Sequence, residues 1–396
     1  AAPMMARLDG SPLFATSPPR VAVVGAGAFG GWTALHLLRR GAQVTLIDAW
    51  GPGNARSSSG GESRVIRAIY GPDRVYVEMV KRAFELWTQL DAASDDPLYV
   101  ETGALWLHRG DDAYVRSSVP ILRELGFPVE QLALADATRR WPQIDFGGVK
   151  SVWLESRAGA LSAARACIAV RHAFTEGGGV YRTARVAPGL PLRLEDGSRI
   201  EADAYVFACG PWLGRLFPDV IGEHIRPTRQ EVYYFGTPPG SQRYLPAALP
   251  IWIDFGRRII YGIPDVHGRG FKVADDTRGA PFDPTDGDRT PTREGIARAR
   301  RLLAERFPEL AKAPLIESQV CQYENSPDGH LIIDRHPEAK NVWLVGGGSG
   351  HGFKLSPAVG EMVADAVLTG KEVPKLFRID RLKEAAKPKT QFEGKD

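Results

Sequence analysis

One stretch, Arg20 to Asp48 (RVAVVGAGAFGGWTALHLLRRGAQVTLID), restricts the folds open to this chain more than any other. Val21 to Val24 are a short apolar, largely β-branched run, the mark of a buried strand. Gly25, Gly27 and Gly30 spell G-x-G-x-x-G, and Trp32, Leu35, Leu37 and Leu38 continue at helical spacing. Gly41 stops the helix, Val44 to Ile47 form a second strand, and Asp48 ends it. Between a strand and a helix, with an acid about 20 residues on, this is the dinucleotide-binding fingerprint. Gly25 permits the turn, Gly27 lets backbone approach a pyrophosphate, and Gly30 lets helix and strand pack closely. The helix N-terminus offers unpaired N–H groups to phosphates, and Asp48 can accept from ribose hydroxyls. The bland reading is a strand–turn–helix with no ligand. The fingerprint does not separate NAD from FAD.

The 396 residues suffice for two domains or one composite one, and no run approaches the roughly 18 apolar residues of a membrane span. A net charge of +3, with no basic stripe among aromatics, argues against a nucleic-acid partner. Cys167, Cys209 and Cys321 have no metal-type spacing and are too few for a disulfide scaffold. A reducing, cytoplasmic setting is expected, with residues 1–19 and 383–396 as disordered tails.

After Asp48 comes a long loop of small residues, Gly51 to Gly61, then Ser63, Arg64 and Arg67 in SRVIRAIYG. Tyr76 to Leu90 has helical apolar spacing, Gly103 to His108 reads as a strand, and residues 110–145 as helix, loop and helix. Leu161 to Phe174 is a further helix, and AYVFA (Ala204 to Ala208) a buried strand. From Arg226 to Val273, aromatic-rich alternation with Pro- and Gly-rich turns predicts an antiparallel sheet that can roof a pocket. Thr290-Pro291 predicts a helix start. Val342 to Val345 then leads into Gly346, Gly347, Gly348, Gly350 and Gly352 and a helix near Ser356, a second unit that can aim a helix N-terminus at a ligand.

Five blocks carry a resemblance: GAGAFG, SRVIRAIYG, the GFK of Gly270 to Lys272, CQYENSPDGHLIID and GHGFKLSP. Over roughly residues 20–382 the chain resembles the FAD-dependent amine oxidases of the D-amino-acid-oxidase superfamily, most closely the monomeric sarcosine oxidase and N-methyltryptophan oxidase group. The resemblance implies an α/β (α+β composite) fold. A discontinuous Rossmann-like FAD-binding domain (20–67, 150–215 and 325–382) would join a substrate domain on a mostly antiparallel sheet (68–149 and 216–324).

It implies FAD rather than NAD, held by Gly25, Gly27, Gly30, Asp48, Ser63, Arg64, Gly347, Gly348, Gly350, Gly352 and Lys354. It also implies a thioether from Cys321 to the flavin; taken alone, Cys321 is an ordinary core cysteine. Arg67 and Lys354 match the pair that holds the substrate carboxylate, a bidentate fork and a point charge. Arg64 matches an arginine close to the flavin. Lys272 matches the lysine that supports oxygen reduction, Tyr261 a pocket tyrosine, and Tyr323 is a further pocket wall. The helix near Ser356 would face the flavin. His351 reads as loop structure or flavin contact rather than an acid–base group.

Three departures bear on substrate. Gly60 and Asp276 stand where the sarcosine enzymes carry histidines, and Trp252 where they carry a slimmer Met. Together they point to a larger or cationic amino acid. The expected activity is oxidation of the C–N bond of an amino acid, preferably a secondary one (N-methyl or cyclic), with O2 reduced to H2O2 and the imine hydrolysed. The alternatives are a deaminating oxidase or flavin dehydrogenase for primary amino acids, and a non-catalytic flavin-binding protein. The expected partners are a small amino acid and O2, with no metal, membrane or nucleic acid, and a monomeric chain.

Overall fold

Both faces of the first strand are covered. Val21 and Val23 enter one apolar core with Val44 and Leu46, while Ala22 and Val24 enter another with Ile47 and Phe207. A strand buried on two sides reads as a continuous apolar run, as parallel sheets do. The computed structural model describes residues 17–384, so the two expected tails lie, but for a few residues, outside the described residues.

Arg20–Val24 is central in a six-stranded sheet. Spatially the order is Ile332–His336, Ala339–Gly346, Ala204–Phe207, Arg20–Val24, Gln43–Asp48 and Val180–Thr183. All neighbours run parallel except the first pair. The first helix, Ala28–Arg39, is buried from Ala28 to Leu37, sandwiched between the sheet and the last helix, Ser356–Thr369. A Cβ at Gly360 of that last helix would lie 2.6 Å from the Trp32 backbone carbon, so the two helices pack backbone to backbone.

A second sheet has eight strands, in the order Leu315–Asn325, Arg226–Phe235, Phe271–Asp275, Ile259–Ile263, Ile251–Phe255, Ala104–His108, Ser151–Glu155 and Val129–Leu132. It is antiparallel apart from the pairing of Ile251–Phe255 with Ala104–His108. A three-stranded sheet, Ser63–Ile66, Gly159–Ser162 and Tyr99–Glu101, carries Arg64 and leads directly into Arg67. The α/β composite of a parallel nucleotide-type sheet and a mostly antiparallel one is the architecture expected.

Two details differ, and a third is added to the helix found, as expected, from Ser356. Ser151–Glu155, expected in the nucleotide-binding part, pairs with Ala104–His108 in the larger sheet, Ala104 opposite Glu155. The helix expected to start at Thr290-Pro291 begins at Arg293, because the Thr292 hydroxyl accepts the Gly295 N–H at 3.0 Å and is the cap. The last helix is preceded by a 3₁₀ turn, Phe353–Leu355, so Lys354 sits on that turn.

Candidate active site

A cavity of about 770 Å³ lies between the two large sheets, at the upper end of the roughly 300–1,000 Å³ of ligand sites. The fingerprint forms one wall. Gly25 has φ +101°, and a Cβ there would lie 2.1 Å from the Ala208 carbonyl oxygen. A Cβ at Gly30 would lie 1.7 Å from the Gly25 oxygen, which is the close helix–strand contact anticipated. A Cβ at Gly27 would meet only the Ser59 side chain and would otherwise fill the cavity. The first helix therefore presents bare backbone to the space, as a pyrophosphate requires.

Asp48 lines this cavity and also fixes its own turn. One oxygen accepts the Ala26 N–H at 2.8 Å, the other those of Trp50 at 2.9 Å and Gly51 at 2.8 Å. Sequence reasoning missed Ser59, whose hydroxyl accepts the Ala28 N–H of the first helix at 2.9 Å. It also missed Glu324, buried in the same cavity and accepting from the Ser58 hydroxyl at 2.6 Å. Burial pushes the Glu324 carboxyl up to about 7.

Arg64 donates to three carbonyl oxygens, Ser58 at 2.9 Å, Gly60 at 2.6 Å and Ser63 at 2.8 Å, and so straps the small-residue loop against the cavity. Lys272 is 2% exposed and donates to the Ser63 carbonyl at 2.7 Å. Burial, and then the Arg64 charge, push its ammonium well below the usual lysine range. Cys321 lines the cavity with its sulfur 3.9 Å from the Ser57 carbonyl oxygen, a weak contact that leaves the thiol available. Gly348, Gly350 and Gly352 line the cavity as well. Gly347 does not: a Cβ there would meet His330 and Ile332. Nor does Ser63 line it; its carbonyl serves Lys272 and Arg64. The cavity is reached by Gly352 and Phe353 ahead of the last helix, not by Ser356, which is fully buried and bonds the Phe353 carbonyl.

A second cavity of about 70 Å³ adjoins the first, with Arg64, Tyr261, Gly350 and Phe353 lining both. It brings together Arg67, Asp276 and the pair His351 and Lys354, from three places in the chain. The Arg67 guanidinium is 5% exposed, lies 4.6 Å from the Tyr70 ring centre and 5.4 Å from that of Trp106, and donates to the Ile69 carbonyl. The Lys354 ammonium is 4.9 Å from the Tyr70 ring centre and donates to the His351 carbonyl at 2.7 Å. Burial, and then Arg67, hold Lys354 well below the usual lysine range. Two buried cations side by side are costly, and the Asp276 and Glu155 carboxylates offset part of that cost at Lys354.

His351 cannot serve readily as a base. Its Nε2 lies 2.7 Å from the Gly329 carbonyl, which only accepts, so Nε2 carries the proton. Nδ1 then accepts from the Tyr70 hydroxyl at 2.9 Å. Burial, and then Lys354, hold the ring well below its usual range, in this neutral tautomer.

Two of the substrate-related expectations do not survive. Trp252 is fully buried and lines neither cavity; its indole packs on Phe307, ring centres 5.0 Å apart, and on Phe271. Its strand alternates faces, so Ile253 meets the small cavity and Trp252 the core behind it. A Cβ at Gly60 would lie 2.5 Å from the Asn54 carbonyl, so this is a packed turn rather than space left by an absent imidazole. With those grounds gone, a larger substrate loses its support. Asp276 does line the small cavity, and Tyr323 lines the large one with its hydroxyl donated to Asp276 at 2.8 Å.

Set beside known proteins, residues 20–366 match the family described as FAD dependent oxidoreductase (DAO). The chain is 31% identical over 364 residues to monomeric sarcosine oxidase of Bacillus sp. (strain B-0618), covering 89% of this chain and 92% of that protein. It is 26% identical over 372 residues to N-methyl-L-tryptophan oxidase of Salmonella arizonae, covering 87% and 94%. Among solved structures, it matches L-proline dehydrogenase from P. horikoshii with a TM-score of 0.80 at 23% identity, over 93% of this chain and 98% of that one. It also matches fructosamine oxidase (Amadoriase II) from Aspergillus fumigatus with a TM-score of 0.78 at 25% identity, over 94% and 92%.

Proposed function

The chain belongs to the DAO family of FAD-dependent oxidoreductases, and from that premise we propose that it oxidises the C–N bond of a small secondary amino acid, N-methyl or cyclic. The observation that carries this reading is the convergence of Arg67 and Lys354 on one small cavity opening beside the large cleft. A buried guanidinium and ammonium together suit a carboxylate, through bidentate and charge-assisted hydrogen bonds.

The residues of the large cleft fit FAD. Gly27 leaves room for a pyrophosphate at the first helix, Asp48 stands at the end of its strand for a ribose, and Cys321 offers a thiol for covalent attachment. Bound there, FAD would supply the two-electron chemistry, with O2 as final acceptor and H2O2 as product.

The protein's part is position and charge. Arg67 and Lys354 fix the carboxylate, which leaves the reacting carbon beside the amine to face the larger space. Arg64, Tyr261 and Phe353 form the shared wall that orients them. Lys272, desolvated and anchored on the Ser63 carbonyl, is a fixed cation for a developing superoxide charge. The imine product hydrolyses in water. The chain acts as a monomer in this reading.

A peroxide-release screen of the purified yellow enzyme across N-methylated, cyclic and primary amino acids of both hands tests it. Peroxide from N-methylated or cyclic members supports the assignment; release from primary amino acids alone replaces it with a deaminating oxidase. For Cys321, acid-precipitated protein should keep its colour and the Cys321→Ala protein should lose it to the supernatant. Colour lost by the native chain removes the covalent bond.

A further inference from the structure

The small cavity carries one charge that binding of a carboxylate leaves unused. Asp276 follows the strand Phe271–Asp275 and lines the same space as Arg67 and Lys354, with its side chain 11% exposed. Its Oδ1 accepts the Tyr323 hydroxyl at 2.8 Å. Its Oδ2 lies 3.9 Å from Arg278 Nη1, near enough for charge attraction and too far for a hydrogen bond.

Arg278 is engaged by backbone. Nη2 donates to the Ser349 carbonyl at 2.7 Å and Nη1 to the carbonyl of Asp276 itself at 3.1 Å. Lys354 is bonded to the His351 carbonyl, and His351 has both ring nitrogens occupied. Oδ2 therefore keeps capacity for a donor from a ligand. The remaining wall includes Val65, Ile253, Ile259 and Phe353, which supply no competing polar group from their side chains.

We propose that Asp276 holds the protonated amine of the substrate, so that the cavity selects amino acids as zwitterions over plain carboxylates. This rests on the reading that Arg67 and Lys354 take the carboxylate. Those two cations alone would repel an ammonium drawn in beside them. A desolvated carboxylate in the same space offsets that repulsion and adds a charge-assisted hydrogen bond. Burial pushes the Asp276 carboxyl up, while Arg278, the Tyr323 hydroxyl and Arg67 act to keep it ionised.

N-methylglycine and butanoate have the same heavy-atom skeleton and differ by an ammonium in place of a methylene. Their binding to the holoenzyme is measured by calorimetry under nitrogen, after chemical reduction of the flavin so that no turnover occurs. The native enzyme should bind N-methylglycine at least tenfold more tightly than butanoate. Asp276→Asn should weaken N-methylglycine by about 30-fold and leave butanoate unchanged or tighter, while Asp276→Glu restores part of the difference. Equal affinities in the native enzyme overturn the proposal whether or not the variants fold, as does equal weakening of both ligands by Asp276→Asn. Arg67→Gln should weaken both ligands together. If it weakens neither, the carboxylate reading fails, and selective weakening of N-methylglycine by Asp276→Asn still decides the role of Asp276.

Discussion

The large cleft and the small cavity share a wall at Arg64, Tyr261, Gly350 and Phe353, yet they are made of different material. Backbone and small residues shape much of the cleft: Gly25, Gly27, the loop through Ser57 to Gly61, and the run to Gly352. Such a surface accepts a long, flat, charged molecule and has little means to choose among substrates. The small cavity is lined by charged side chains, Arg67, Asp276 and Lys354, among a few apolar walls. In a member of this family, the first would bind what all members bind, and the second would hold what distinguishes one member from another. Changes in the two should therefore separate, one set altering flavin content and the other altering turnover.

The largest effect is expected at the cleft. Gly25→Val places a side chain on the Ala208 carbonyl and forces the positive φ on a β-branched residue. It should cost more than about 4 kcal/mol and yield protein without flavin, read from the visible absorbance per chain. A folded, yellow Gly25→Val protein would break the comparison.

Next comes the small cavity. Arg67→Gln should keep full flavin content and lower kcat/KM by about 1,000-fold, or ~4 kcal/mol of lost carboxylate contact. Loss of flavin along with activity would blur the separation.

Lys272 lines the cleft but is the exception there: its change should keep flavin content and split the catalytic cycle. Lys272→Met should slow reoxidation by O2 about 100-fold, ~2.7 kcal/mol, while anaerobic reduction by substrate changes less. Rapid-mixing absorbance follows each half separately, and unchanged reoxidation removes the oxygen role from Lys272.

The smallest effect is at Trp252. Trp252→Phe should lower thermal stability by about 1–2 kcal/mol and leave KM and kcat unchanged. A shifted KM would return this residue to the pocket.

The same contrast decides what could be read from sequence. The cleft's first wall is local: spacing within Arg20 to Asp48 fixes strand, turn and helix, and the backbone contacts follow from the glycines. The small cavity is a juxtaposition of residues 67, 276 and 354, and no periodicity reports that they meet. Arg67 and Lys354 were legible through motif resemblance. Trp252 shows the limit of that route. Matching a residue to a position does not fix which face of the strand it occupies, and a shift of one residue exchanges Ile253 for Trp252. Glu324 and Ser59 were not legible because their roles come from loops folding back across the cleft.

The most direct measurement is the anaerobic bleaching of the flavin by N-methylglycine and by N-methylpropylamine, a secondary amine without a carboxylate, in the native and Arg67→Gln enzymes. The amino acid should bleach the native flavin at least 100-fold faster than the amine, and Arg67→Gln should erase most of that difference. Equal bleaching by the two compounds in the native enzyme would contradict the claim that Arg67 and Lys354 define the substrate.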